Sequence, residues 1–431
     1  MIRKNSINRF LRTGLIGLVT ASFLAGCNVG SKTENTMANV RFVNLMTDQP
    51  TLTIKLDGTA MASDLQYQSL SDYKTMNLDT YSAVVSGATG TTLSTADLAL
   101  GQVKSTVVFY GNASTMSSLK LTEDSTALTT GKFVVRTLRL ASNLVGMDLY
   151  VTETGADISG LSPTSYSAAS GAAASYSGEL TAGAWRVRLT TSGTKNVVFD
   201  TTLTFAAGTY NTLALHSLGS AQLPTVLWLQ PADGSAKVLA NTLARIRVVQ
   251  ATPDVTSSRV TLDDKSIFLS LPYAGVTNYI VTAAGSPTVS YLDQNKSSVF
   301  ASSVAPLLAG HDYTIYSSGV AVAAKVVIYE ENSNDKTSTS GVRGQFVNAS
   351  SDQAAIDVVA NYQPLVSGLS MGKRSAWQNL TASVYPLSYY ANTGGTVLVE
   401  QSTDELVAGG DYAFALIGTV GAYRAIAYQT N

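Results

Sequence analysis

Two nine-residue phrases alike at six of nine positions open two distant parts of this chain, and that repetition limits the folds open to it. Arg41-Phe42-Val43-Asn44-Leu45-Met46-Thr47-Asp48-Gln49 returns as Gln345-Phe346-Val347-Asn348-Ala349-Ser350-Ser351-Asp352-Gln353. Residues 247–254 are a third version and residues 136–143 a looser fourth. Each reads as a strand followed by a turn. The Asp or Asn closing it is expected to bond its own backbone, the usual reason for such residues in turns. Self-similarity on this scale means one folding unit used several times.

The rest of the unit repeats as well. Alternating runs follow each turn: Leu52-Thr53-Ile54-Lys55-Leu56, Met147-Asp148-Leu149-Tyr150-Val151, Arg259-Val260-Thr261-Leu262 and Ile356-Asp357-Val358-Val359. Period two with one apolar face predicts strands. An aromatic comes next at a matching place: Tyr73, Tyr176, Tyr279 and Trp377. The unit closes on Leu100-Gly101, Ala207-Gly208-Thr209-Tyr210, Ala309-Gly310-His311-Asp312-Tyr313 and Ala408-Gly409-Gly410-Asp411-Tyr412, each heading an apolar strand. Gly there can supply the positive φ of a turn, and the Tyr resembles the corner tyrosines of β-sandwiches. Anchors recurring every ~100 residues match an immunoglobulin-sized sandwich rather than a blade or solenoid turn. The expected fold is all-β: about four tandem immunoglobulin-like β-sandwiches, at residues 40–124, 132–232, 243–331 and 342–431. Polar stretches at 123–131, 233–242 and 332–341 are the expected linkers.

Residues 1–26 read differently. Arg3, Lys4, Arg9 and Arg12 precede an apolar stretch from Thr13 to Phe23, too short to span a bilayer and suited to an export signal. Leu24-Ala25-Gly26-Cys27 follows directly and resembles the lipobox of bacterial lipoproteins. The resemblance implies cleavage before Cys27, acylation of that residue and attachment to a membrane, since two or more acyl chains anchor stably. Asn28 behind it implies the cell outer membrane, with the face open. Residues 27–39 are expected to be a flexible tether. Cys27 is the single cysteine, so disulfides within the chain and Cys-based zinc clusters are excluded.

With the strand-turn opening and the Ala-Gly-x-x-Tyr closing in view, the units resemble the family called domain of unknown function 4397. Its members open with a pattern that ends His-Ala-Ser-Pro-Asp, matched best by residues 247–254. Gln250 stands where the family often has His; Asn44, Arg139 and Asn348 fill that place in the other units. The resemblance implies a β-sandwich in exported and surface proteins of bacteria, and no activity.

Chemistry is sparse. With 28 Lys plus Arg against 29 Asp plus Glu, the chain lacks the basic excess that nucleic acid as a partner requires. A Ser-His-Asp site needs a base beside its nucleophile, but the two histidines, His216 and His311, lie about one domain apart. His216 is expected on a solvent-side or edge position and His311 in a turn. Two histidines cannot make a His-rich zinc site. Carboxylate-rich loops such as Asp263-Asp264, or Glu330-Glu331-Asn332 with Asp335, read as solvated turns rather than calcium ligands. No cofactor, metal or catalytic residue is expected, and the protein is read as no enzyme. The expectation is a non-enzymatic envelope module with a binding, adhesion or spacer role, its partner an unidentified envelope protein or glycan. Four beads in line would reach on the order of 140 Å. The alternative is a carbohydrate or cell-wall polymer binding module using exposed rings such as Trp228 or Trp377. An envelope hydrolase is the remote third reading.

Overall fold

The computed structural model describes residues 37–123, 126–141, 144–220, 222–230, 235–295, 297–331, 341–392 and 395–430. Among them there is no α-helix, and the only helical piece is a 3-10 turn at Ala321–Ala323. The strands form eight sheets, two per unit.

In the first unit one sheet carries Met37–Met46 at its centre. On one side lie the short pieces Ser69–Leu70 and Lys74–Asn77, on the other Ser105–Gly111 and then Ser117–Thr122. The second sheet runs Thr59–Gln66, Thr51–Leu56, Thr80–Gly87, Thr92–Ala99. The third and fourth units repeat this order around Leu243–Gln250 and Val342–Ser350. One pairing departs from the antiparallel immunoglobulin pattern. The opening strand runs parallel to the strand that follows the Ala-Gly turn, in all four units. The chain builds the second sheet between these two strands, so it must return to the first sheet from the same end.

The second unit differs. Its second sheet has three strands, Met147–Thr152, Gly183–Thr191 and Val197–Phe205. Where the others carry an outer hairpin strand, irregular chain lies along the edge. The amides of Met147, Leu149 and Val151 are instead taken by Ser167 Oγ, the Ser165 carbonyl and Thr164 Oγ1. Side-chain acceptors thus blunt an edge that could otherwise pair with another chain.

Two expected borders shift. The first strand begins at Met37, inside the expected tether, because Met37–Val40 pair with Lys74–Asn77 and bury Ala38 and Val40. Ser235–Leu239, inside an expected linker, is an edge strand on Pro224–Gln230.

Each unit has its own apolar core between its two sheets, such as Phe42, Ile54, Val85 and Phe109 in the first and Phe346, Val358, Tyr389 and Phe414 in the fourth. Two further clusters lie between units. Val43, Leu45, Val108 and Leu121 of the first meet Leu138, Leu140, Ala214, Leu227 and Leu229 of the second. Val249, Ala251 and Tyr316 of the third meet Val347, Ala349, Ala415 and Ile417 of the fourth. Equivalent positions face each other: Val43 with Leu138's unit, Val249 with Val347's. Each buried aliphatic side chain of this size contributes about 1.5–3 kcal/mol. This explains the opening strands, which are buried on both faces, whereas Thr51–Leu56 and Ala355–Ala360 alternate. The first and second units, and the third and fourth, thus form two pairs packed through the faces of their first sheets. Residues 239–243 join the pairs: Asn241 donates to the Val198 and Pro224 carbonyls and accepts from the Leu243 amide.

Candidate functional site

The residues that recur in the sequence occupy recurrent structural positions. At the place where the resembling family has His, each unit carries a side-chain donor. Asn44 Nδ2 reaches the Gln49 carbonyl at 3.1 Å, Asn348 Nδ2 that of Gln353 at 3.0 Å, Gln250 Nε2 that of Val255 at 3.0 Å, and Arg139 Nη1 that of Leu144 at 2.9 Å. The acceptor lies five residues on every time. Asn44 and Asn348 also donate to the Leu65 and Leu369 carbonyls, tying the loop to the second sheet. Different side chains hold one loop shape, and a buried carbonyl left without a donor is costly.

The recurrent aromatic follows from the broken edge beside the opening strand. Between the two short edge pieces the chain bulges outward. A hydroxyl stands in for the missing strand carbonyl: Ser71, Ser177, Thr277 and Ser375 accept the amides of Phe42, Val135, Val248 and Phe346 at 2.9–3.1 Å. Beside each hydroxyl the ring lies over an arginine of the opening strand. Arg41 sits 4.6 Å from the centre of Tyr73, Arg136 4.2 Å from Tyr176, Arg245 4.4 Å from Tyr279 and Arg343 4.4 Å from Trp377. Each of these arginines also bonds its parallel neighbour: Thr106, Thr212, Asp312 and Asp411. A desolvated guanidinium over a ring is worth about 2 kcal/mol.

The recurrent aspartates reach across to a second turn. Asp48 accepts the Ala113 amide, Asp254 that of Ala321, and Asp352 that of Val420 together with the hydroxyls of Thr419 and Tyr423. They clip the first turn to the turn after the parallel strand. That second turn starts at Gly111, Gly319 and Gly418, with φ of 94–99°. The corner tyrosines lock the other end: Tyr313 OH accepts the Leu308 amide and Tyr412 OH the Val407 amide, both at 2.9 Å.

Between the third and fourth units polar groups join the apolar contact. Arg247 donates to the Gln429 carbonyl, Tyr279 OH to the Thr430 carbonyl and Arg374 to Glu331, and Tyr316 and Tyr428 share a hydrogen bond. Burial raises the carboxyl of Glu331 above its usual range, with Arg374 opposing.

His216 is not on an exposed position. It is 2 % exposed at the contact of the first two units, 3.3 Å from Tyr67 OH and from Gln68 Nε2. The strand holding it is covered by the neighbouring unit, which the sequence of one unit alone does not show. Burial pushes its imidazole down to about 4, so it is neutral, and pushes the Tyr67 hydroxyl up to about 12. His311 lies in the turn before Asp312–Ser318 with Nδ1 2.8 Å from Glu330 Oε1. His311 lies against the second unit near Gly219, but its hydrogen-bond partner is Glu330 while those of His216 are Tyr67 and Gln68, so the two histidines share no partner. Residues 368–372 spell the nucleophile-elbow motif Gly-x-Ser-x-Gly, but Ser370 ends an outer hairpin strand. No helix follows it, as an elbow requires.

Asp263 takes the Thr288 amide at a hairpin tip, and Asn332 and Asp335 lie outside the described residues. Cys27 and residues 1–36 also lie outside them. Among the described residues no group of three or more His, Cys, Asp or Glu could hold a metal, and no helix is long and apolar enough to cross a membrane. Trp228 is 6 % exposed, stacked edge-on to Phe205, and Trp377 has Arg343 on its face.

One family model, described as a domain of unknown function, matches residues 38–150, 244–344 and 342–431. The unmatched stretch from 151 to 243 is most of the second unit, and it includes residues 153–177, where the outer strand is missing. No curated protein matches the chain.

Proposed function

The chain belongs to the DUF4397 family, and from that premise we propose a lipid-anchored protein of the bacterial cell envelope, held at the outer membrane through Cys27, whose paired sandwiches serve a non-enzymatic binding, adhesion or spacer role. The observation that carries this reading is the use made of the repeated polar residues. Asn44, Ser71, Arg41, Asp48 and their counterparts are engaged with one another and with the backbone. What recurs in the chain is framework. The signal-like residues 1–26 and the lipobox at 24–27 supply the location.

Carbohydrate binding is the alternative from a different class. It requires several rings open on one surface, and Trp228 and the covered face of Trp377 are engaged elsewhere. Mass spectrometry of the N-terminal peptide, from protein purified from its host, tests the anchor. The expected product begins at Cys27 and carries acyl chains; a free thiol there, or an uncleaved leader, would remove the proposal.

A further inference from the structure

One end of the fourth sandwich departs from its sisters. The hairpin between the first two strands of the second sheet is a two-residue turn with both φ positive: Asp57-Gly58 at 46° and 79°, Asp263-Asp264 at 46° and 63°, Asn361-Tyr362 at 48° and 61°. That turn type favours Gly, Asn and Asp, and a bulky side chain at positive φ is strained. In the first and third units Asp57 and Asp263 also cap the amides of Ser82 and Thr288. In the fourth the facing residue is Pro386, which has no amide to give, and the Asn361 amide donates to its carbonyl. Tyr362 is nonetheless 83 % exposed. The fold keeps a strained aromatic in water where glycine or aspartate would serve.

Two neighbouring loops add to it. The Thr403 amide donates to the Tyr385 carbonyl and the Leu406 amide to the Ser383 carbonyl, which zips residues 383–386 between the hairpin tip and residues 403–407. Val384 is 51 % and Val407 62 % exposed on these loops. Asp404 and Glu405 are exposed beside Val407, and residues 360–363, 381–386 and 403–409 contain no Lys or Arg. Exposed apolar groups with a charged border mark contact surfaces, and a central aromatic is the commonest anchor.

We propose that Tyr362, Val384 and Val407 form a docking surface for a protein segment with an apolar centre and a Lys- or Arg-bearing border, matched to Asp404 and Glu405. The inference rests on the binding role given above and names its surface. The test uses the full chain in its host, with the photoreactive p-benzoylphenylalanine at position 362 and, separately, at 58 and 264. Irradiation is expected to give an adduct from 362 and none from the two sister tips. Peptide mapping should place that adduct on a segment of another protein bearing two or more basic residues. Asp404→Lys with Glu405→Lys should cut its yield about fivefold or more, as for a charged rim. No adduct from 362, an adduct on a second copy of this chain, or one indifferent to the charge reversal would overturn the proposal. Protein adducts from 58 or 264 alone would also overturn it while leaving a binding role in place. Tyr362→Gly is expected to melt at the same or a higher temperature; a clear drop would give the ring a folding role and sink the inference.

Discussion

A neutral histidine inside a contact makes a pH-dependent contribution whose sign is fixed. His216 is held at about 4 by burial, below the ordinary value of about 6.5. As pH falls, the unfolded chain takes up the proton first, so stability is lost from about pH 6.5 down to about pH 4 and is level below that. The full drop is about 3 kcal/mol at 1.36 kcal/mol per unit. Urea midpoints measured from pH 7 to 4.5 should decline in this window, and His216→Gln should flatten the decline. An equally steep decline in the variant would place the titrating group elsewhere. The loop donors make a second prediction. Asn348→Ala strips a donor from the Gln353 and Leu369 carbonyls and should destabilise by about 1–3 kcal/mol. Chemical denaturation reads it directly, and Asn44→Ala should behave alike. At this scale the sequence exposed which residues matter and hid what they do. Asp48 and Asp352 stand out in the repeat, yet their partners lie 65 and 68 residues away. Periodicity carries no information about such distant bonds.

Among the elements, the turn after the parallel strand is the most constrained. A Cβ on Gly418 would lie 2.5 Å from the Ala422 carbonyl oxygen, at φ +99°. Gly418→Ala is expected to cost about 1–3 kcal/mol. Gly101→Ala meets nothing within 4 Å and has no positive φ, so a change within about 0.5 kcal/mol is expected. Thermal melts of the two variants side by side give the comparison. The strands and corner tyrosines were legible in alternation and in the Ala-Gly-x-x-Tyr spelling. The missing outer strand of the second unit was not. Residues 153–177 are rich in Ser, Thr, Gly and Ala, which fits an edge capped by hydroxyls as well as it fits turns. The parallel pairing was equally hidden, because alternation along one strand does not reveal its neighbour's direction.

For the whole molecule, the paired arrangement predicts how it comes apart. Leu138→Glu puts an unpaired charge among Val43, Leu45 and Leu227 while leaving the core at Phe133 and Leu149 untouched. A buried unpaired charge is strongly destabilising, so the first two sandwiches should separate without unfolding. Small-angle scattering should show a larger radius of gyration, with the strand signal in circular dichroism retained. An unchanged scattering curve would mean that the apolar contact does not hold the pair. This pairing was written in the sequence as opening strands apolar on both sides, against alternating strands such as Thr51–Leu56. A reading of one unit at a time assigns that extra apolar face to its own core.

The parallel neighbour also sets a timetable. Arg41 meets Thr106 across 65 residues, Arg136 meets Thr212 across 76, Arg245 meets Asp312 across 67 and Arg343 meets Asp411 across 68. A polypeptide made from its amino end presents the middle strand of each module first and that strand's flanking companion near the end. Until most of the module has been synthesised, its most apolar strand has one side bare. Sequence-distant pairings of this kind close slowly and leave sticky edges exposed meanwhile. Newborn copies of this protein therefore have a built-in delay, four times over, in which an apolar strand side waits for its neighbour.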